Sequence, residues 1–332
     1  MWPMAELHVH IEGTLEPELA LELARRNGLT PPAADPAQLR ARYSFGRLQD
    51  FLDIYEANMA VLRTADDFAD LARAYLVRAR AAGVRHAEIF FDLQAHLGRG
   101  VPADAVFDGL GRALDEARAE GMSAELILCF LRDLGPDAAM ETLEIALPFR
   151  DRFIGVGLDS TEVGFPPSLF REVFARAAAE GLHRVAHAGE EGGPEYVWEA
   201  LDVLGVERVD HGNRALEDDA LVRRLREDAV PLTVCPLSNL ALRTGPADLA
   251  QHPLPAMLAQ GLRVSVHSDD PAYFGGYIDD NLHRVADALA LDVDRIALLA
   301  ANSFRSSFAP ADKVAGWLAE VEATRAGMSV DA

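Results

Sequence analysis

The sequence predicts an α/β fold, a (β/α)8 TIM barrel. Eight short apolar segments rich in β-branched residues alternate with longer amphipathic segments. Residues 154–158 and 232–235 are almost continuously apolar, which is typical of parallel strands that are buried on both faces. Eight such alternations are the pattern of a closed parallel barrel. The predicted strands are residues 6–10, 84–92, 124–131, 153–159, 183–189, 208–212, 230–236 and 263–270.

Helical patterns fill the intervals between these strands. Residues 17–27 begin with a proline and end before Gly28, and residues 168–180 end before Gly181. A third helix is predicted over residues 215–228, and a last one over residues 312–325 on the barrel exterior.

Residues 30–80 are too many for one crossover, so we expect extra helices over the mouth of the barrel. Phe45, Phe51, Leu52 and Tyr55 form either an apolar lid there or ordinary helix packing. With no repeat or linker in view, residues 1–332 are interpreted as a single domain.

Composition restricts the partners and the compartment. The 332 residues carry a formal net charge of −22, which disfavours nucleic acids and anionic membranes as partners. No apolar run reaches the ~20 residues of a membrane span, and the amino terminus lacks a signal-peptide pattern. Cys129 and Cys235 lie in apolar segments and are expected to be buried free thiols. We therefore expect a cytoplasmic protein with a small-molecule substrate. The sequence is also compatible with a homo-oligomer.

Histidines and acidic residues collect where the predicted strands end. They are His8, His10, His187, Glu190, His211, Asp269 and Asp270. The carboxyl ends of the strands form the face on which barrel active sites are built. Several titratable side chains at that face predict a catalytic site.

His8 and His10 are two residues apart, so both side chains point to the same side of a strand. Such a pair is often no more than packed histidines. Joined by His187 and Asp269, however, it offers three nitrogens and one oxygen, a set that suits one catalytic zinc ion. Glu190, just after His187, is placed to donate a proton. The glycine patterns of nucleotide cofactors are absent.

Five ordered motifs resemble those of the adenosine/adenine deaminase family. They are Glu6-Leu-His-Val-His-Ile-Glu-Gly13, His187-Ala-Gly-Glu190, Asp210-His-Gly212, Cys235-Pro-Leu-Ser-Asn239 and Ser268-Asp-Asp-Pro271. Together they extend over most of the chain at successive strand ends. The resemblance implies hydrolytic removal of the exocyclic amino group of an aminopurine.

The resemblance also implies roles for individual residues. His8, His10, His187 and Asp269 would bind one zinc ion. Glu190 would protonate the ring nitrogen, His211 would orient and deprotonate the attacking water, and Asp270 would accept a hydrogen bond from the imidazole edge of the purine. The only lysine, Lys313, lies far from strand four, so a bridging lysine is excluded and one metal is expected unless a carboxylate bridges two.

The choice of purine depends on fewer residues. The segment from Gly157 to Gly164 resembles the adenine deaminase branch, in which a glutamate at position 162 would occupy the space of the sugar and meet the free base. Asp159 and Glu12 are expected as further substrate-binding residues. His267, Phe165 and the Gln94-Ala-His96 segment depart from that branch.

The sequence is compatible with several substrates. Adenine is the leading candidate, and an adenine nucleoside such as adenosine or aminodeoxyfutalosine, or an N6-substituted adenine, is the alternative. A metal-binding barrel without catalysis is a remote alternative, because every position that the chemistry requires carries a competent side chain.

Overall fold

The computed structural model describes residues 1–45 and 48–330, and an eight-stranded parallel sheet lies at its centre. Strands adjacent in the chain are adjacent in the sheet from the first to the last. The strands are β1 Met4–Glu6, β2 Val84–Phe91, β3 Ser123–Leu131, β4 Gly155–Asp159, β5 His183–Ala188, β6 Arg208–His211, β7 Pro231–Val234 and β8 Arg263–Val266. The predicted (β/α)8 TIM barrel is confirmed.

The barrel closes between the segment that follows β1 and the segment that follows β8. Val9 and Asp269 form a parallel bridge, in which the Asp269 N–H donates to the His8 carbonyl and the His10 N–H donates to the Asp269 carbonyl. On the other side, His10 bridges to Phe90 at the end of β2. These single bridges hold residues 8–10 between two neighbouring strand ends.

Helices surround the sheet. From β1 to β4 they are α1 Pro17–Arg26, α2 Pro36–Arg40, α3 Leu48–Met59, α4 Ala65–Ala81, α5 Leu93–Leu97, α6 Ala103–Ala119 and α7 Gly135–Ala146. From β4 to the end of the chain they are α8 Arg171–Ala179, α9 Pro194–Glu199, α10 Asp219–Glu227, α11 Pro236–Leu242, α12 Leu254–Ala259, α13 Pro271–Phe274, α14 Ile278–Ala288, α15 Val293–Arg305 and α16 Ala311–Val330. The extra helices predicted after the first strand and at the carboxyl terminus are thus present.

Element boundaries differ from the prediction at informative places. The first strand ends at Glu6, so His8 and His10 lie beyond it, because residues 8–10 pair through single bridges instead of a continuous ladder. Likewise, β8 ends at Val266, before Asp269. The helix predicted over 215–228 begins later, because Asp218 caps α10 by accepting hydrogen bonds from the N–H groups of Ala220 and Leu221.

The helix predicted over residues 168–180 is also divided. A 3-10 turn, Pro167–Phe170, precedes α8, which begins at Arg171. Prolines at positions 166 and 167 have no N–H to donate, so the regular helical ladder starts only after them.

The expected apolar lid corresponds to α3 and the residues before it. Phe51, Leu52 and Tyr55 of α3 lie on the wall of a cavity at the barrel mouth. Phe45 packs edge-to-face on Phe51 and on Phe274, with ring centroids 5.5 and 6.1 Å apart. Helix packing and cavity closure are therefore combined in one aromatic cluster.

A buried ion pair crosses the barrel interior. Arg208, the first residue of β6, donates to the Glu88 carboxylate of β2, and both side chains are fully buried. His86 and the N–H of Phe308 also contact Glu88, and Arg208 donates to the carbonyls of Leu7 and Ser306. The pair thus ties β2, β6 and the segment after α15 together.

None of the helices in the described part of the chain is long and apolar enough to cross a membrane.

We predict that Glu88→Gln lowers the free energy of unfolding by about 3–5 kcal/mol, because it leaves Arg208 buried without its anionic partner. Urea unfolding followed by circular dichroism measures the change. Glu320→Gln, which removes one partner of the exposed Arg85 pair, is the matched control and should leave stability nearly unchanged. Equal stability of the two variants would contradict the prediction.

The same pair predicts a dependence on pH. Burial raises the pKa of Glu88, but Arg208 and His86 outweigh burial and lower this pKa to about 2, from an ordinary value of 4.5. A depressed carboxyl pKa stabilises the fold fully above the unfolded pKa. We expect the stability difference between the natural chain and Glu88→Gln to persist above pH 4.5 and to shrink as the pH falls towards 2.

Candidate active site

Four side chains converge on one point at the carboxyl ends of the strands. His10 Nε2 lies 3.2 Å from His187 Nε2 and 3.5 Å from Asp269 Oδ1. His8 Nε2 lies 3.3 Å from the same Asp269 oxygen. All four residues are buried. The structure therefore brings together the complete set of predicted metal ligands.

The spacing of these atoms suits one divalent metal ion. Donor atoms held at about 2.0–2.2 Å from a tetrahedral ion lie roughly 3.3–3.6 Å apart. The His8 Nε2 atom is buried and has no hydrogen-bond partner among the described residues. Burial lowers the pKa of His10 to about 4 and that of His187 well below the usual range, so both imidazoles are neutral, as ligands must be.

Two other groups of side chains have compatible spacing. The first group consists of His8, His211, Cys235 and Asp269, and the second consists of His10, Asp92 and Asp159. Burial, followed by the charge of Asp269, raises the pKa of the Cys235 thiol well above its usual range, so it is a poor ligand. Lys313, as expected, lies elsewhere, exposed on α16.

Buried polar groups behind the ligands fix the imidazole rings. His8 Nδ1 lies 3.0 Å from the Thr233 hydroxyl, which donates to Asp210 at 2.8 Å. The other oxygen of Asp210 lies 3.7 Å from His187 Nδ1. The hydrogen bond to Thr233 selects the tautomer of His8 that presents Nε2 to a metal.

The backbone is strained where the site is built. His211 and Asp269 have φ angles of +65°, and Ser160, next to Asp159, has a φ of +70°. Non-glycine residues rarely adopt the left-handed region, and residues that do so cluster at functional sites. The turn at Asp269 directs its carboxylate towards the three histidines.

Glu190 and His211 lie side by side next to the ligand cluster, with His211 Nε2 3.5 Å from Glu190 Oε2. Burial, followed by the charges of Asp269 and Glu162, raises the pKa of Glu190 well above the usual carboxyl range. Burial lowers the pKa of His211 to about 3. The raised pKa favours the protonated form of Glu190, which can donate a proton, and the lowered pKa of His211 favours the neutral imidazole, which can accept one.

Asp270 faces the same cavity with a carboxylate oxygen that has no hydrogen-bond partner among the described residues. Gly13 makes room for it: a Cβ atom at position 13 would lie 1.9 Å from Asp270 Oδ1. Burial, together with Asp269 and Asp92, raises the pKa of Asp270 well above its usual range.

The cavity has a volume of about 310 Å³, at the small end of the range for ligand pockets. Its floor includes His10, His187, Glu190, His211 and Asp269, and Asp159 lies on its wall. The α3 face that closes it carries Leu48, Phe51, Leu52, Tyr55, Glu56 and Met59. A small, partly apolar cavity with titratable groups on its floor fits a compact, planar substrate.

Two predicted substrate-binding residues are not on the cavity wall. Glu12 is fully buried and accepts hydrogen bonds from His96 Nε2 at 2.7 Å and from the Asp92 N–H at 3.2 Å. Glu162 is also buried, and backbone N–H groups of residues 189–192 surround its carboxylate. The structure therefore places Glu162 outside the set of residues that line the cavity, with its carboxylate oxygens occupied by backbone N–H groups.

The prediction gave no role to Asp92, Asp210 or Thr233. Asp92 lies on the cavity wall beside Asp159, and the other two support the histidines. Asp92 closes a predicted strand, so the rule that selected His211 and Asp269 also indicates Asp92. Thr233 has no comparable signal, because threonine is ordinary in a strand.

The sequence profile of the adenosine deaminase family matches residues 3–324. Relatives named adenine deaminase include one from Streptomyces coelicolor, 62% identical over 97% of this chain and 96% of its own length. Another, from Rhodospirillum rubrum, is 59% identical over 94% of this chain and 93% of its own length.

Solved structures of related proteins have the same fold. The crystal structure of adenine deaminase from Arthrobacter aurescens superposes with a TM-score of 0.95 at 55% identity, covering 97% of this chain and 98% of that chain. An amidohydrolase from Burkholderia ambifaria, described with bound Zn, has a TM-score of 0.91 at 27% identity and covers 99% of this chain and 92% of its own. The family match over nearly the whole length, the barrel and the converging histidines lead to one conclusion: this chain belongs to the adenosine deaminase family.

Proposed function

We propose that this chain hydrolyses adenine to hypoxanthine and ammonia with one zinc ion. The observation that carries the reaction class is the convergence of His8, His10, His187 and Asp269 beside the Glu190–His211 pair at one cavity floor. Adenine, rather than a nucleoside, is favoured by the names of relatives with identities of 54–62% and by the small cavity.

Zinc is favoured among divalent metals because three imidazoles and one carboxylate form its usual ligand set. A related amidohydrolase structure carries bound Zn. When bound, such an ion supplies Lewis-acid activation of a water molecule.

The chain's own residues perform the proton transfers. His211, neutral at physiological pH, accepts the proton that the attacking water gives up. Glu190, whose raised pKa favours its protonated form, donates its proton to the purine ring nitrogen next to the attacked carbon, which prepares that carbon for addition. His211 then passes the proton it accepted to the amino group, which leaves as ammonia, while the hydroxyl proton of the adduct returns to Glu190 and the carbon–oxygen double bond of hypoxanthine forms.

Asp159 and Asp270 are the proposed substrate-contacting carboxyl groups. Each lies on the cavity wall and has one buried carboxylate oxygen without a hydrogen-bond partner among the described residues. A purine offers ring N–H and nitrogen atoms that satisfy such groups, and satisfying a buried polar group is worth about 1–3 kcal/mol. The enzyme is further proposed to consist of a single domain and to act in the cytoplasm.

Ammonia release from adenine, adenosine, N6-methyladenine and aminodeoxyfutalosine tests the substrate. We expect kcat/KM for adenine to exceed that for the other three by about 100-fold or more, because a substrate with an added ribose or N6 substituent must fit the same small cavity and leaves some of its polar groups unpaired. Preference for a nucleoside would contradict the free-base assignment but keep the reaction class. No release from any of the four would contradict both.

Glu190→Gln tests the proton donor. Glutamine keeps the shape but cannot donate an acidic proton, so we expect kcat to fall about 10²–10⁴-fold. Elemental analysis should show unchanged metal content. Glu191→Gln, which neutralises the next, half-buried carboxyl group, is the control and should keep kcat nearly unchanged. A fully active Glu190→Gln enzyme would contradict the assignment of Glu190 as the proton donor.

His8→Ala tests the metal site. Losing one of four ligands should lower the metal content of the purified protein from near one per chain towards zero, as measured by elemental analysis. His183→Ala removes a half-exposed histidine at the other end of the strand that carries His187, and it should retain the metal. Full occupancy in His8→Ala would contradict the ligand assignment.

A further inference from the structure

One buried carboxylate accepts hydrogen bonds from four consecutive backbone N–H groups. Glu162 Oε1 accepts from Gly189 at 2.7 Å, and Glu162 Oε2 accepts from Glu190 at 3.1 Å, Glu191 at 2.7 Å and Gly192 at 2.8 Å. Only about 1% of Glu162 is exposed. The four residues join the end of β5 to α9, and Glu190 is among them.

These four N–H groups belong to neither a helix nor a strand. A concave run of backbone N–H groups binds an anion well, and a buried N–H group without an acceptor is costly. The fit is close: Gly189 has a φ of +73°, and a Cβ at position 192 would lie 2.9 Å from Glu162 Oε1. The conformation of residues 189–192 therefore depends on the Glu162 carboxylate.

A buried cation compensates the charge of Glu162. Arg132 follows β3 and is fully buried. Burial lowers the pKa of Arg132, and the strongest opposing influence is the negative charge of Glu162, followed by that of Asp159. The four backbone N–H groups are thus the direct partners of the Glu162 carboxyl group, and Arg132 contributes a buried positive charge at longer range.

Among the described residues, the Glu190 carboxyl group has only long polar contacts. Glu190 Oε2 lies 3.5 Å from His211, and Glu190 Oε1 lies 3.4 Å from the Thr244 hydroxyl. Both distances exceed those of a strong hydrogen bond. The direction of the carboxyl group towards the cavity floor must therefore come mainly from the backbone that carries it.

We propose that Glu162 is a positioning residue: its carboxylate holds residues 189–192 so that Glu190 presents its proton to the substrate. This inference rests on the proposed function, in which Glu190 is the acid. Glu162 takes no part in binding the purine, and it acts on the rate through Glu190.

Glu162→Gln is the first test. The side-chain amide places an N–H donor against at least one backbone N–H group, so amide hydrogen exchange of residues 189–192 should accelerate while exchange in β5 stays slow. We expect kcat on adenine to fall about 10–100-fold with KM changed by less than about threefold, since misplacement of a catalytic group reduces turnover more than binding. Metal content should be unchanged.

Glu199→Gln is the matched control. Glu199 ends α9 and accepts one backbone hydrogen bond, from Ser168, and it lies outside both the cavity wall and residues 189–192. This variant should keep kcat and the exchange rates of residues 189–192.

The decisive comparison is the double variant Glu162→Gln/Glu190→Gln. If Glu162 acts through Glu190, the double variant turns over as slowly as Glu190→Gln alone, within about threefold. Losses that multiply would overturn the inference, as would unchanged exchange at residues 189–192 or loss of the metal. Should Glu162→Gln fail to fold, Glu162→Asp, which keeps the charge but is one methylene shorter, replaces it in each comparison.

Failure of the proposed function has a different signature. A natural chain that releases no ammonia from adenine would refute the substrate assignment. Hydrogen exchange does not depend on the substrate, so slow exchange at residues 189–192 in the natural chain and fast exchange in Glu162→Gln would still support the anchoring role, and equal exchange would still overturn it.

Discussion

Closure of the barrel is the constraint on which the site depends. The ends of the sheet meet through a single parallel bridge between Val9 and Asp269, and that bridge lies among the candidate metal ligands. His8 and His10 flank one side of it, and the Asp269 carboxylate follows from the other. Fold and site therefore cannot be separated: a register error at the closing seam would misplace three of the four ligand atoms.

The hydrogen bonding of buried polar groups differs between the barrel interior and the barrel mouth. In the interior, Glu88 and Arg208 form an ion pair that also hydrogen-bonds neighbouring side chains and carbonyl groups, which favours a rigid core. At the mouth, His8, Asp159 and Asp270 keep buried atoms without hydrogen-bond partners among the described residues. Unsatisfied groups in a cavity cost stability, and their cost is recovered only when a metal or a substrate binds.

Much of the architecture could be predicted from the sequence, because parallel strands buried on both faces leave an apolar signal and catalytic groups follow strand ends. The eight strands and the converging set of His8, His10, His187 and Asp269 follow from that rule. Strand limits could not be predicted near the site, since residues 8–10 pair through isolated bridges that have no period of their own. The contacts of the buried carboxylates could not be predicted either. Whether Glu162 contacts a ligand or a row of backbone N–H groups depends on the path of residues 189–192, which composition does not determine.

The distribution of amines on this molecule has a practical consequence. Lys313 is the only lysine, and it is exposed on α16, a helix whose Trp317 stacks on His86 near the start of β2, opposite the carboxyl ends of the strands. Amine-reactive resins or dyes would therefore attach at the amino-terminal end of the barrel and leave the mouth facing solution, so that an immobilised preparation would present its molecules in nearly one orientation.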